Sequence, residues 1–193
     1  IERGPLPLAR PQTWGAGVPV ARLPAVVPGS PDLRRPADLA RWQATTLVAF
    51  GRALMQVWPF DLVHAHRGLP DGVAAAALAD DLGVPLLTTE HDGSLDRQLA
   101  TQPAIDAYRS LLGPDRRLVA VSRHLADQMA ALAAIPGASI PVIPNVVDFR
   151  MFRPRSDVAR DPDELLWVGN RKTSKGIDTL IEAMALVGGD RPL

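Results

Sequence analysis

The chain has 193 residues, enough for one domain or for one domain and part of a second. Lysine plus arginine and aspartate plus glutamate balance at 21 each, which excludes a net field that would draw a nucleic acid or an anionic membrane from a distance, and the absence of cysteine excludes disulfides and thiolate metal sites. No apolar run approaches the ~20 residues that cross a bilayer and no secretory signal opens the sequence, so a soluble, cytoplasmic protein is the expectation.

The first 36 residues are rich in proline and glycine and read as irregular covering structure with one short strand around Val18 to Val27, kept to an edge by Pro24 and Pro28. Pro36 suits the first turn of a helix over Ala37 to Val57, in which Leu39, Trp42, Leu47, Phe50, Leu54 and Val57 recur at helical spacing and predict one buried face. Strands and helices then alternate. The strand Leu62 to Ala65 leads to an alanine-rich helix capped by Asp71 and ending before Gly83; Val84 to Thr89 forms the next strand. A helix around Ile105 to Leu112, a strand Leu118 to Val121, a helix capped by Ser122 and running to about Ala134, and a strand Ile140 to Ile143 complete the series. Arg150 to Asp163 reads as a linker, followed by a strand Glu164 to Val168 and a helix Gly176 to Val187. Such alternation predicts an α/β fold, a doubly wound parallel sheet whose active edge is the carboxyl end of its strands.

Several residues at those strand ends can carry chemistry. His91 follows its strand in Thr88-Thr89-Glu90-His91-Asp92-Gly93, where an imidazole can donate a hydrogen bond or move a proton, or can simply pack in a loop. His64 and His66 share a strand face, but no third ligand at a predictable spacing completes a metal site. Arg67 and Gly68 precede a turn. Ser122 reads as a helix cap beside the cleft, and Arg123 beside it as a first-turn arginine. Asn145 and Asp148 in Ile143-Pro144-Asn145-Val146-Val147-Asp148 suit turns through side chain to backbone bonds. The strongest local signal is Trp167-Val168-Gly169-Asn170-Arg171-Lys172-Thr173-Ser174-Lys175-Gly176-Ile177, an apolar run, a basic glycine-bounded turn and a helix start, which aims cations and amides at one point and suits a phosphate. No strand opens into a G-x-G-x-x-G turn, which speaks against a dinucleotide oxidoreductase.

The basic turn and the segment Ile143 to Phe152 together resemble the donor-phosphate loop and interdomain hinge of GT-B glycosyltransferases of family 4. The resemblance implies a Rossmann-like acceptor-side domain over residues 1–155 lacking its first strand, and only the first strand and helix of a second Rossmann-like, nucleotide-sugar-binding domain over residues 156–193. It further implies a retaining glycosyltransferase that moves a sugar from a nucleotide-sugar donor to a carbohydrate or lipid-linked acceptor in polysaccharide biosynthesis. No cofactor and no obligatory metal are expected, no nucleic acid partner, and no transmembrane segment, with peripheral contact at the inner membrane face left open.

Within that resemblance, His91 is the histidine expected to contact the reacting sugar. Gly169, Asn170, Arg171, Lys175 and Gly176 form the donor-phosphate loop, and His66, Arg67, Glu90, Ser122, Asn145 and Asp148 lie on the acceptor side or at the hinge. Lys175 and Gly176 align with the family's Lys-Gly, whereas Asn170 occupies the place of its arginine and Arg171 the next one. The family's glycine-rich acceptor loop would precede Ile1 and its glutamate pair would follow Leu193, so a fragment unable to turn over alone is expected. The competing expectation is a noncatalytic carbohydrate or protein interaction module on the same scaffold.

Overall fold

The computed structural model describes residues 12–14, 18–20, 36–135, 140–154, 159 and 164–187. Contacts divide the chain into two compact units, Ile1–Val146 and Val147–Leu193, a division that falls before the segment predicted as a linker.

In the first unit β1 (Gln12–Trp14) and β2 (Val18–Val20) form a small antiparallel pair with Thr13 opposite Pro19. The sequence predicts only the second of these strands, and its expected continuation over residues 21–27 lies outside the described residues. Helix α1 (Pro36–Val57) starts where proline pre-sets the backbone. Its buried face differs from the predicted one: Ala37, Ala40 and Gly51 are buried, the large apolar residues are half-buried and Val57 is 70% exposed. Small residues decide this because α1 packs closely on the alanine-rich α2 (Val73–Leu82). A Cβ on Gly51 would stand 2.2 Å from Leu78 Cδ1, so glycine sets the approach. Arg52 on α1 and Asp81 on α2 add an exposed ion pair, Arg52 Nε donating to Asp81 Oδ2 at 2.7 Å. Gly83, at φ 67°, closes α2 in the left-handed conformation that glycine favours.

Three parallel strands form the centre: β3 (Val63–His66), β4 (Leu86–Glu90) and β5 (Arg116–Ala120), hydrogen-bonded in that order. The register sets His66 beside Thr89 and Glu90 beside Ala120, so all three strands end at one edge. The short α3 (Leu95–Gln98) and then α4 (Gln102–Arg109) join β4 to β5, and α5 (Arg123–Leu132) follows β5. This is the α/β, Rossmann-like arrangement the alternation predicts. Leu69, Leu86, Leu95, Tyr108, Leu111 and Met129 are the largest fully buried hydrophobic side chains among the described residues, each burial stabilising by roughly 1.5–3 kcal/mol.

The predicted strand Ile140 to Ile143 is reduced to a single parallel bridge, Val142 beside Ala120, held by Ala120 N–H to Pro141 O at 3.0 Å and Ile143 N–H to Ala120 O at 2.9 Å. Pro141 and Pro144 have no N–H to extend the ladder.

In the second unit the predicted strand Glu164 to Val168 is not formed. A strand needs a neighbour for its hydrogen bonds, and among the described residues of this unit none pairs with it, leaving Leu165, Leu166 and Val168 exposed. The helix is present as α6 (Ile177–Val187), preceded by a single 3-10 turn, Thr173–Lys175.

Candidate functional site

The carboxyl ends of β3, β4 and β5 carry Arg67, His91 and Ser122, the edge at which parallel sheets present ligand-binding groups. Glu90 organises this edge. As the last residue of β4 it is fully buried, and each carboxylate oxygen accepts two hydrogen bonds. Oε2 accepts the Gly68 N–H at 2.9 Å and the Tyr108 O–H at 3.0 Å, while Oε1 accepts the N–H groups of His91 and Asp92, both at 2.9 Å. Buried charge is tolerated only when it is paired or hydrogen-bonded, and here protein donors do it. Glu90, grouped from the sequence with acceptor-side and hinge residues, thus has its carboxylate occupied by the chain itself and ties the loops after β3 and β4 together.

Tyr108, the chain's one tyrosine, has its hydroxyl pushed far above the ordinary phenol range by burial first and by the Glu90 charge second, so it remains a donor. Gly68 must be glycine: a Cβ there would lie 2.3 Å from Tyr108 Cε2 and 2.9 Å from Glu90 Oε2. The residue before it, Arg67, holds φ 77° although it carries a side chain. Its backbone is fixed on both sides, N–H donating to Thr89 O at 2.7 Å and C=O accepting Gly72 N–H at 2.9 Å, and its guanidinium donates to Asp92 Oδ2 at 3.1 Å. Asp92 also accepts Ser94 N–H at 2.8 Å and Gln98 Nε2 at 2.6 Å.

Above this base stand three histidines. His66 Nδ1 lies 2.8 Å from His91 Nε2, with ring centroids 5.0 Å apart. His64 sits 4.4 Å from the His66 ring, and its Nε2 is 2.9 Å from Thr89 Oγ1. Burial first, then the neighbouring His66 and His91, lower the pKa of His64. Among the described residues no three His, Asp or Glu side chains converge as metal ligands. His66 and His91 are exposed, in reach of a ligand.

Asp71 does not cap a helix as the sequence predicts. It lies inside the tight turn Gly68–Gly72, Gly72 takes the N-cap position without a side-chain bond, and α2 begins at Val73. Its half-buried carboxyl is pushed up, by burial first, with Arg67 opposing and Glu90 adding to the rise. Ser122 does cap α5, its Oγ accepting Leu125 N–H at 3.2 Å, and Arg123 beside it is exposed. Asn145 is exposed, and Asp148 closes a turn by accepting Arg150 N–H at its Oδ1, 2.8 Å away.

In the second unit the basic loop is folded on itself. Lys172 N–H donates to Asn170 O at 2.7 Å, Lys175 N–H to Lys172 O at 2.8 Å, and the Trp167 indole N–H reaches forward to Lys175 O at 3.2 Å. Trp167 also lies against Gly169, where a Cβ would come within 2.8 Å of the indole, and Gly176 turns the chain into α6 at φ 70°. An open cleft of about 610 Å³ is lined by Trp167, Arg171, Lys172, Thr173 and Asp178 among others. Arg171 and Lys172 line this cleft; Lys175 and Asn170 do not.

Sequence reasoning missed Tyr108 and Asp92, the partners that hold Glu90 and Arg67. It also weighed His66 and His91 apart. The adjacency of two parallel strands ending at one edge is the signal that could have joined them.

The sequence profile of glycosyltransferase family 4 matches residues 4–150. A D-inositol 3-phosphate glycosyltransferase of Segniliparus rotundus is 31% identical over 153 residues, covering 71% of this chain and 34% of that protein. A D-inositol 3-phosphate glycosyltransferase 1 of Catenulispora acidiphila is 30% identical over 186 residues, 88% of this chain and 43% of that protein. The putative teichuronic acid biosynthesis glycosyltransferase TuaC of Bacillus subtilis is 26% identical over 132 residues, 64% of this chain and 34% of that protein. The chain therefore spans between a third and a half of the length of these relatives. With a family profile matched across the whole parallel sheet and its strand-end loops, this chain belongs to glycosyltransferase family 4.

Proposed function

We propose that the chain contributes the acceptor-side domain and the donor-phosphate loop of a retaining glycosyltransferase that uses a nucleotide-sugar donor. The observation that carries this reading is His91, exposed at the carboxyl end of β4 on a loop anchored by the buried Glu90, in a chain that belongs to family 4. Glycosyl transfer builds positive charge at the anomeric carbon and negative charge on the departing diphosphate. Fixed cations at that diphosphate stabilise the transition state more than the ground state; Arg171 and Lys172 line the cleft, and Lys175, outside its lining, holds the place of the family's lysine in the sequence. His91 contacts the sugar or orients the acceptor hydroxyl. The acceptor is a carbohydrate or a lipid-linked sugar in polysaccharide assembly. Two relatives named for D-inositol 3-phosphate make a phosphorylated cyclitol the first acceptor to test. The reaction needs no metal, so a chelator should leave transfer unchanged, and it takes place in the cytoplasm or at the inner membrane face.

The test is calorimetric binding of nucleoside diphosphates to this chain, beside a transfer assay with nucleotide sugars. Binding should weaken roughly tenfold in Arg171→Ala and in Lys175→Ala, the loss of a charge-assisted contact. Turnover requires the longer polypeptide, so the chain alone should bind without transferring. Asn170, standing where the family's arginine is expected, favours one other reading, a noncatalytic carbohydrate-binding module. Diphosphate affinity indifferent to both substitutions, with retained sugar binding, would establish that alternative instead.

A further inference from the structure

We infer that His66 is a positioning residue for His91: its Nδ1 accepts the Nε2–H of His91, which fixes the His91 ring and leaves His91 Nδ1 as an unprotonated acceptor for a ligand hydroxyl. The inference rests on the reading of His91 as a ligand-contacting residue. A nitrogen to nitrogen distance of 2.8 Å between neutral imidazoles requires one hydrogen between them. It can be placed in two ways. If His91 donates, both rings carry their hydrogen on Nε2, the tautomer a histidine side chain favours in water. If His66 donates, both rings must adopt the less favoured Nδ1–H form. The first arrangement costs neither ring its preference.

The surroundings leave the pair to itself. The Glu90 carboxylate, one residue away, is filled by four protein donors, and Asp92 is engaged by Arg67, Ser94 and Gln98. Thr89 Oγ1 is taken by His64, whose ring in turn lies against His66 at 4.4 Å and limits its rotation. His66 is itself a strand residue, in register with Thr89. A rigid strand thus holds the acceptor and a loop holds the donor. The consequence is selective: an Nδ1 lone pair can accept from a sugar or polyol hydroxyl, while a phosphate oxygen, which only accepts, finds no donor there.

The experiment is long-range 1H–15N correlation on the histidine-labelled 193-residue chain without ligand, above the imidazole titration range at about pH 8.5. The expected spectrum shows the proton on His91 Nε2, and a 15N–15N coupling across the hydrogen bond to His66 Nδ1. In His66→Leu the coupling is lost and His91 Nε2–H exchanges with solvent roughly tenfold faster, whereas His66→Asn, whose side-chain oxygen replaces the Nδ1 acceptor, restores slow exchange. A proton on His66 Nδ1 in the wild type, no coupling in the folded chain, or exchange unchanged in a folded His66→Leu each overturns the inference. Because nothing here depends on turnover, diphosphate affinity indifferent to Arg171→Ala and Lys175→Ala would sink the proposed activity and leave this result standing.

Discussion

The two units carry similar local signals and meet different fates. In the first, the segment Leu86–Glu90, a polar turn and helices around it assemble into a sheet with a closed core. In the second, the apolar run Glu164–Val168, a basic turn and helix α6 are present, yet among the described residues no strand forms and none is buried. β4 has a neighbour on each side, β3 and β5, and every backbone group in it has a partner to find. The segment before the basic loop has none. A strand is a property of its neighbours, whereas a helix satisfies its own backbone, so α6 forms where the strand does not.

That contrast can be broken or sharpened by substitution. Glu90→Leu should be the most damaging change, since it strands three backbone N–H groups and the Tyr108 hydroxyl in a buried site; a loss of at least about 3 kcal/mol in urea unfolding is expected. Gly68→Ala drives a methyl into Tyr108 and the same carboxylate and should cost about 2 kcal/mol in the same measurement. Tyr108→Phe removes a single donor and should cost about 1–2 kcal/mol. Ile181→Ala on α6, by contrast, should shift unfolding by no more than about 0.5 kcal/mol, because that side chain is half exposed. A large effect there would show that α6 is buried in solution and would erase the distinction between the units.

An effect of similarly small size concerns acid. The Asp71 carboxyl is pushed up by burial, so the folded state holds its proton more tightly than the unfolded chain does. Stability from this group is present below the ordinary carboxyl value of 3.8 and declines as pH rises through the raised folded value. Asp71→Asn should therefore stabilise slightly at neutral pH, by about 0.5 kcal/mol, and not at all well below pH 3.8. Thermal unfolding of both proteins across that range checks the sign.

Much of the first unit was legible because its signals are local. Pro36 starts α1, Ser122 caps α5 through its own hydroxyl, Gly83 closes α2, and the alternation of strands and helices gives the sheet. What was not legible depends on distant partners. Asp71 looks like a cap by spacing, but the turn Gly68–Gly72 moves the cap to Gly72 and the helix start one residue later. The large apolar residues of α1 look like the buried stripe, but Gly51 and the alanines of α2 bring other positions inside. Of the candidate residues, the strand-end placement of His91 and Arg67 follows from the pattern. The grip of Glu90 on both loops does not, because one glutamate in a sequence gives no sign of four donors drawn from three separate segments.

That grip bears on how family members can exchange parts. Because one buried carboxylate anchors the turn after β3, the loop after β4 and the last turn of α4, these segments do not vary independently. A recombinant that imports the loop around His91 from a relative must bring a glutamate, a glycine and a tyrosine together or lose all three anchor points. Double-substitution cycles between Gly68 and Tyr108 should accordingly be far from additive, although the two positions are 40 residues apart in the sequence.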